Sequence, residues 1–424
     1  MFPLYPLFLA LLIPVLPDQE LSVFSPEELL HQPFVFLMEL QNSEAFSSSE
    51  LKALRSRIEE ERDGKIAELR ERENDWKKKL ALHRNELEGL NKLGSKDTGS
   101  VARKRADLHV EIAALERCIH DAAIERERTI PATYALQLTK LRLAERWPSR
   151  REEIQEQIEE GQARSRRHGD AEDIGYRRLV KNPEQDIPAG EQAARQMIAG
   201  GWLPFELQDN EVQSYVRTVA ARIAANSDLK VPLRVTVLDS AELKALALPG
   251  GYLYVTSGVI RAAKTESELA GVLSREVARI AARHATRSSR VSMISKLFVP
   301  VAQVATGIFT GGTMSPAAAY GIGYGIEGLG GVLQHVFNGT NEKLQTEADQ
   351  LGIQYAWKAG YDPRGFIGFL DSISKNGDNN FLNDEPQLHE RLMNSFEEIE
   401  YLPAQKDLTS ETGEFDRIRS LVMR

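Results

Sequence analysis

The sequence predicts an α+β protein in which a long α-helical hairpin or coiled-coil region precedes a domain of helices and a small sheet. Apolar residues recur at heptad-like spacing between residues 48 and 162. Beyond residue 170 the composition becomes that of a compact mixed domain, and residues 233–239 and 252–255 have the pattern of short strands. A chain of 424 residues is long enough to form both regions.

Charge and cysteine content exclude some classes of function. The 62 acidic residues exceed the 53 basic ones and give a formal net charge of -9, so we expect no nucleic-acid partner. Cys118 is the single cysteine, so no intrachain disulfide can form.

The segment 1–17 is apolar and is similar to the hydrophobic part of a signal peptide. No Lys or Arg precedes Lys52, and four prolines interrupt the segment, which is too short to cross a bilayer as a helix. We interpret it as a signal peptide or a membrane anchor, which favours a periplasmic or membrane-associated location in the cell envelope. A buried terminal segment or a mis-set start codon is the alternative.

Two apolar stripes predict a helical hairpin in residues 48–162. The break at residues 94–100 separates them, and the residues from Ile130-Pro131 on either end the second helix or begin a third. The region is either a partner-binding or self-associating coiled coil or a solvated spacer. The stripes consist of Leu51, Leu54, Ile58, Ile66, Leu69, Trp76, Leu80, Leu87 and Leu90, and then Leu108, Ile112, Leu115 and Ile119.

Three further segments follow the helical region. Residues 163–172 predict a basic linker, residues 173–403 a domain and residues 404–424 a polar tail. Inside the domain, Thr265 and Glu268 predict a capping box that begins a helix. The glycine-rich run 298–336 predicts either a segment that covers a cleft or touches a membrane, or a buried apolar hairpin.

The predicted helix contains a modified zinc-peptidase motif. In H-E-x-x-H, two histidines one turn apart bind zinc and the glutamate acts as general base. Here Arg275 and Arg279 stand at the histidine positions and Glu276 at the glutamate position. A guanidinium stays protonated and offers no lone pair, so neither arginine can bind a metal ion.

Four segments in order resemble the HtpX/BepA-like zinc metallopeptidases, the minigluzincins of metallopeptidase family forty-eight, over roughly residues 175–400. The resemblance implies a minigluzincin-type fold. It also implies that the third zinc ligand would stand at Gln345, four residues before Asp349, which would support the ligands. An arginine usual in the family is Glu342 here, and its His-Pro reads Glu385-Pro386. The segments are 245–256, 266–273, 281–284 and 347–352 with 359–363.

With Arg275, Arg279 and Gln345 at the ligand positions, we expect no metal and no other cofactor. Our hypothesis is that the two arginines pair with acidic residues, such as Glu276, Glu342 or Glu347, and hold two helices together. The alternative is a solvated basic stripe of Arg275, Arg279, Arg283 and Arg287.

Peptide binding does not require the metal. The resemblance implies that substrate is held as an added strand, and we expect the edge strand to comprise Gly251, Tyr252, Leu253, Tyr254 and Val255. The sequence thus favours a non-catalytic homologue with Glu276 as a relict base, which binds extended polypeptide or a partner protein in the cell envelope. One alternative is an active zinc endopeptidase with atypical ligands, in membrane-protein or envelope quality control. A coiled-coil adapter is the other.

Overall fold

The computed structural model describes residues 25–40, 47–92, 99–161, 169–177, 179–287, 342–375 and 388–423. The apolar segment 1–17, the run 298–336, residues 163–168 of the predicted linker and Glu385-Pro386 lie outside these residues. Two compact units divide the chain, a helical unit of Ser22–His31 and Glu44–Glu145 and a carboxyl-terminal unit that includes Gln32–Ser43 and Arg146–Arg424. No helix within the described ranges is long and apolar enough to span a membrane.

The first five helices precede the sheet region. A π-helical turn, Glu125–Thr129, connects the fourth helix to the fifth, so the third helix predicted near Ile130 is present. Residues of α5 up to Glu145 belong to the helical unit. Helices α1 to α5 are Pro26–Leu29, Phe34–Met38, Ser48–Lys92, Gly99–Ile124 and Ile130–Glu159.

The helical unit contains an antiparallel hairpin, as the sequence predicts. Helices α3 and α4 pack along their length. Arg84, late in α3, donates to Glu116 of α4 at 2.7 Å. Glu61, earlier in α3, accepts at 2.7 Å from the hydroxyl of Tyr134, which lies later in the chain than Glu116. The chain after α3 therefore runs back along that helix in the opposite direction. Every residue of the two predicted stripes is buried or half-buried, so the hairpin itself uses the apolar surface that suggested self-association.

The carboxyl-terminal unit contains a three-stranded sheet and nine further helices among the residues described. Strands β1 (Arg234–Leu238), β2 (Ala245–Leu248) and β3 (Tyr252–Thr256) are arranged in the order β1-β3-β2, with β3 parallel to β1 and antiparallel to β2. The α+β prediction is confirmed. Helices α6 to α14 are Asp186–Ala199, Asn210–Ala225, Ser257–Ala262, Glu266–Ala281, His284–Arg287, Glu342–Lys358, Gly365–Lys375, Leu388–Glu400 and Gly413–Val422.

The boundary predicted at residue 162 is wrong, because α5 contributes to the carboxyl-terminal unit from Arg146 onward. The Trp147 side chain is fully buried, and its ring lies 5.1 Å from that of Phe396 on α13. Its indole N–H donates to the carbonyl of Met38 at 2.9 Å. A tryptophan among charged residues in the second half of a long helix is therefore a core residue of the carboxyl-terminal unit.

The predicted polar tail is also wrong, because residues 413–422 form helix α14. Phe415 and Ile418 are fully buried, and the helix packs on α7 and α8. Thr412 caps α14 by accepting from the Phe415 N–H at 3.2 Å. Two apolar residues three positions apart in a polar sequence are enough to attach a short amphipathic helix to an existing core.

Candidate functional site

Helix α9 lies in the middle of the carboxyl-terminal unit and carries the modified motif. It packs against α7, α11, α12 and β2, and nearly all of its residues are buried. The Thr265 hydroxyl accepts from the Glu268 N–H at 3.2 Å, while Glu268 accepts from the Lys264 N–H rather than from Thr265, so the capping box is only partly formed. Charged side chains on so central a helix need charged or polar partners.

Asp349 on α11 is the main partner of Arg275. Arg275 Nε donates to Asp349 Oδ1 at 2.7 Å. Arg391 on α13 makes two further bonds to the same carboxylate, from Nε at 2.7 Å and from Nη2 at 2.9 Å. The exposed fractions are 6% for Arg275, 2% for Asp349 and 4% for Arg391. One buried carboxylate thus joins three helices.

Glycine allows α9 and α11 to approach closely at this point. Gly352 lies one turn after Asp349, and a Cβ atom there would be 2.8 Å from the Cα of Arg275. The Arg275 guanidinium also lies 5.4 Å from the centre of the Phe366 ring, which favours a cation over that face. Backbone proximity therefore places Arg275 within reach of Asp349.

Glu276 and Arg279 complete what we call the arginine cluster, defined as Arg275, Glu276, Arg279, Asp349 and Arg391. Glu276 Oε1 lies 3.5 Å from Arg275 Nη1 and 3.6 Å from Arg279 Nη1. Glu276 is 2% exposed, and its Oε2 is buried without a hydrogen-bond partner among the residues described. Glu276, which the sequence predicts to be a relict general base, thus lies beside two guanidinium groups.

The protonation states of the cluster follow from burial and neighbouring charges. Burial alone would raise the pKa of Asp349, but the charges of Arg391 and Arg275 outweigh it and hold that pKa below its ordinary value. Burial lowers the pKa of Arg279 and of Arg391, although Glu276 and Asp349 respectively oppose that shift. All three arginines remain protonated because their ordinary pKa is so high.

The predicted partners of the arginines are correct only in part. Glu276 does contact both, whereas Glu347 lies with its Oε2 3.2 Å from Nε2 of His284, and the side chain of Glu342 is outside the described atoms. The alternative of a solvated stripe is wrong for Arg275, which is buried, and for Arg279, whose side chain is 13% exposed.

Gln345, the predicted third ligand position, is buried one turn before Asp349 on α11. The donor set does not fit zinc. Two guanidinium groups have no lone pair to donate, and that of Arg275 is already bound to Asp349. Within the described ranges, no three His, Cys, Asp or Glu side chains are placed to hold a metal ion.

Strand β3 is not an edge strand, so the expected substrate edge is wrong. Tyr252, Leu253, Tyr254 and Val255 pair with β1 on one side and β2 on the other, and Gly251 forms the turn before them. Three of these four strand residues are buried, as in a strand covered on both faces. The uninterrupted apolar sequence was the available signal for a central position.

The outer edge of β1 is covered. Leu207 N–H donates to the Val237 carbonyl at 2.9 Å, and Asp239 N–H donates to the Phe205 carbonyl at 2.8 Å. The Gln213 side-chain amide donates to the same Val237 carbonyl, and its oxygen accepts from the Val237 N–H. An added strand therefore has no access to this edge.

The outer edge of β2 has no such cover among the residues described. Thr256 N–H donates to the Lys244 carbonyl at 3.0 Å, and in an antiparallel ladder every second residue faces the partner strand. The backbone groups of Ala245 and Ala247 consequently point away from β3, and no hydrogen bond from the described part of the chain reaches them. Strand β2 packs against α9, and Ala247 is buried, so Ala245 is the accessible residue of this edge.

Sequence reasoning missed Arg391. It stands on the apolar face of α13 between the buried Leu388 and Leu392. An arginine on the buried face of an amphipathic helix indicates a buried acidic partner, because long charged side chains are rarely fully buried unless paired. That signal was in the sequence, but the identity of the partner was not.

Known proteins resemble this unit. A model of peptidase family M48 matches residues 206–398. The chain is 27% identical to a beta-barrel assembly-enhancing protease of Yersinia pestis over 195 residues, 45% of this chain and 38% of that protein. It is 27% identical to the protein of the same name in Escherichia coli (strain K12) over 191 residues, 45% of this chain and 37% of that protein.

A mitochondrial protein is also similar to part of the chain. The chain is 30% identical to the mitochondrial metalloendopeptidase OMA1 of Schizosaccharomyces pombe over 152 residues, 35% of this chain and 40% of that protein. The matches thus span about two fifths of each relative's length. The family match and the order of helices and strands agree with the resemblance found in the motifs. The carboxyl-terminal unit thus contains a region, residues 206–398, that is similar to peptidase family M48.

Proposed function

We propose that this protein binds extended polypeptide through its M48 domain without cutting it, and that it acts in the cell envelope without a zinc cofactor. The observation that carries the proposal is the buried 2.7 Å contact between Arg275 and Asp349 at the first ligand position. A cation that stays protonated and is bound to a carboxylate occupies the place where a histidine would donate to zinc.

Loss of the metal removes the chemistry that Glu276 would assist. A zinc ion lowers the pKa of bound water so that a nearby carboxylate can generate a nucleophile at neutral pH. Glu276 instead lies beside the guanidinium groups of Arg275 and Arg279. Its role here is to offset part of their charge.

The open edge of β2 supports binding of polypeptide. The outward N–H and C=O groups of Ala245, which is partly exposed, can pair with an extended chain, which would become a fourth strand. The relatives are named as proteases and as a metalloendopeptidase, enzymes that act on polypeptide. A binding edge can persist when the cutting chemistry is absent, because the two depend on different residues.

The proposed location has two supports. Two relatives are named for enhancing β-barrel assembly, and in bacteria such barrels lie in the outer membrane. The apolar segment 1–17 also has features of a signal peptide or anchor. Fractionation of cells that produce the full chain tests this part, and recovery in the cytoplasmic fraction alone would contradict it.

Metal analysis of the purified protein tests the loss of catalysis. We expect far less than one zinc per chain by mass spectrometry of the metal content, and no cleavage of unfolded protein substrates with or without added zinc. Stoichiometric zinc, together with cleavage that stops on chelation and in Glu276→Gln, would establish the active-enzyme alternative instead.

A proline at the open edge tests peptide binding. In Ala245→Pro the outward N–H is removed while the ladder to β3 keeps its bonds, since proline is tolerated on edge strands. We expect weaker binding of a short, unstructured, fluorescently labelled apolar peptide, measured by anisotropy. Ala245→Ser keeps the N–H and is the matched control. Equal binding by both variants would exclude β2 as the binding edge.

A further inference from the structure

The two residues that flank Ala245 on the open edge of β2 differ in character. Leu246 is partly buried and packs against the buried cluster that includes Leu248 and Tyr254. Lys244 stands immediately before β2, and its side chain is 53% exposed. A polypeptide that pairs with Ala245 therefore meets an apolar side chain on one side of its pairing point and a cation on the other.

Lys244 continues the ladder between β2 and β3. Its carbonyl accepts from the Thr256 N–H at 3.0 Å, and its own N–H donates to the Thr256 hydroxyl at 3.2 Å. Residues two positions apart in an extended strand lie on the same face of the sheet. The side chains of Lys244 and Leu246 thus share one face, and the side chain of Ala245 lies on the other.

The ammonium group of Lys244 is available to a second carboxylate. Lys244 Nζ lies 2.7 Å from Glu242 Oε2, and the Glu242 side chain is 60% exposed. A pair between two exposed side chains contributes little to stability, so it can be exchanged at small cost. An ammonium group also has three donors, so an incoming carboxylate can bind Lys244 beside Glu242 or in its place.

The geometry of an added strand determines which of its residues face these two side chains. A strand that bonds the outward N–H and C=O of Ala245 places its flanking residues opposite Lys244 and Leu246. In an antiparallel ladder these flanking pairs are the closer ones, with Cα atoms about 4.5 Å apart, and antiparallel pairing is the more stable arrangement. Because the added strand runs in the opposite direction, its residue opposite Leu246 comes two positions before its residue opposite Lys244.

We propose that Lys244 and Leu246 determine the specificity of the open edge, which selects extended polypeptides in which an apolar residue is followed two positions later by Asp or Glu. This inference rests on the proposed function and names the class of polypeptide that the same edge binds. An acidic residue opposite Lys244 forms a cross-strand pair of opposite charge, and an apolar residue opposite Leu246 extends the apolar surface of that face. A basic residue opposite Lys244 meets a like charge, which disfavours binding.

Three labelled peptides of equal length, with blocked ends and otherwise uncharged sequences, test the proposal in anisotropy titrations. The first contains Leu-x-Glu, the second Leu-x-Lys and the third Glu-x-Leu. The first should bind about threefold to tenfold more tightly than the second, because it replaces a repulsive cross-strand pair with an attractive one. It should also bind more tightly than the third, which places neither residue opposite its partner.

Reversal of the charge on the edge tests the role of Lys244 directly. Lys244→Glu should invert the preference, so that Leu-x-Lys binds more tightly than Leu-x-Glu, and Lys244→Met should bind the two equally. Glu242→Gln should enlarge the preference of the wild type, because it removes the competing carboxylate. Circular dichroism establishes that each variant is folded. If Lys244→Glu does not fold, the ratio of the two affinities in the wild type and in Glu242→Gln decides the question.

Arg195→Glu is the matched control for the change of charge. Arg195 is a cation on α6 in the same unit, its side chain is 78% exposed, and it also pairs with an acidic residue close in sequence, Glu191. This variant should leave the order of the peptide affinities unchanged.

Four outcomes overturn one or the other proposal. Equal affinity of the wild type for Leu-x-Glu and Leu-x-Lys refutes the specificity and leaves the proposed function standing, provided that Ala245→Pro weakens both peptides. A preference for Leu-x-Glu that persists in Lys244→Glu refutes it as well, since the charge is then recognised elsewhere. Tighter binding of Glu-x-Leu than of Leu-x-Glu refutes the antiparallel arrangement on which the order of residues depends. Absence of binding by every peptide refutes the proposed function itself.

Discussion

The carboxylate of Asp349 lies 2.7 Å from Nε of Arg275, and both side chains are almost completely removed from solvent. The two residues come from α11 and α9, helices that pack closely at Gly352. The motif resemblance predicts a zinc-ligand position at Arg275, one of the two residues in this contact. A charge-assisted hydrogen bond thus connects two helices of the central core.

Removal of the shared carboxylate should destabilise the protein strongly. Asp349→Asn removes the buried negative charge to which Arg275 and Arg391 both donate, and breaking a buried ion pair costs about 3–5 kcal/mol. Urea unfolding followed by tryptophan fluorescence measures the loss. Asp239→Asn, at an exposed aspartate in the same unit, should change the free energy of unfolding by less than about 0.5 kcal/mol. Equal effects of the two substitutions would contradict a structural role for Asp349.

The cost of Asp349→Asn should depend on pH. The pKa of Asp349 is lower in the folded protein than its value of about 3.9 in an unfolded chain. Its contribution to stability is therefore present above that unfolded value and is lost as the pH falls through the folded pKa. The difference in unfolding free energy between wild type and variant should shrink as the pH falls below about 4. A difference that stays constant over this range would mean that the ionised carboxylate is not the stabilising form.

Arg275 should matter more for stability than Arg279. Arg283 does not serve as an exposed control, because it donates to Asp186 at 2.6 Å and to the carbonyl of Lys181 at 2.7 Å. Arg195→Ala is the better control. We expect a loss of several kcal/mol for Arg275→Ala and a small change for Arg279→Ala, since Arg279 has no hydrogen-bonded partner among the described residues.

Thermal unfolding of the three variants under one buffer condition measures this order. A larger loss for Arg279→Ala than for Arg275→Ala would show that Glu276 is a stronger partner than its 3.6 Å contact indicates.

The close approach of α9 and α11 can be tested with a single methyl group. Gly352→Ala would place a Cβ atom 2.8 Å from the Cα of Arg275, so the helices must separate, and overpacking of this kind costs about 1–3 kcal/mol. Gly64→Ala on α3 is the control, because a Cβ there meets nothing within 4 Å. It should stabilise the helix by about 0.5–1 kcal/mol. Equal unfolding midpoints would show that the backbone contact is not tight.

Patterns local in sequence predicted much of the fold. The apolar stripes of the hairpin, the strand of Tyr252–Thr256 and the cap at Thr265 depend on neighbours within a turn or two, and the structure contains each of them. Helix α14 was missed because its two buried residues gave too weak a periodic signal in a polar segment. The domain boundary was missed because α5 continues through it as one helix.

The candidate site was harder to predict, because its parts meet only through long-range packing. The sequence identified Arg275, Glu276 and Arg279 by their spacing on one helix. Nothing in the spacing of these residues indicated that Arg391, on a third helix, would donate two hydrogen bonds to Asp349. The order of the strands in the sheet could not be predicted either, because an apolar strand can lie in the middle of a sheet or at an edge that helices cover.

The sequence by itself determined which chemistry is available at the ligand positions, since a guanidinium lacks a lone pair in any fold. Only the tertiary structure decided which charges meet and which strand edge stays open. The reason is physical: ligand chemistry belongs to a side chain alone, whereas ion pairing and edge exposure depend on distances between segments far apart in the chain. Arg275 and Asp349 are 74 residues apart in sequence, and their contact exists only because two helices pack at a glycine.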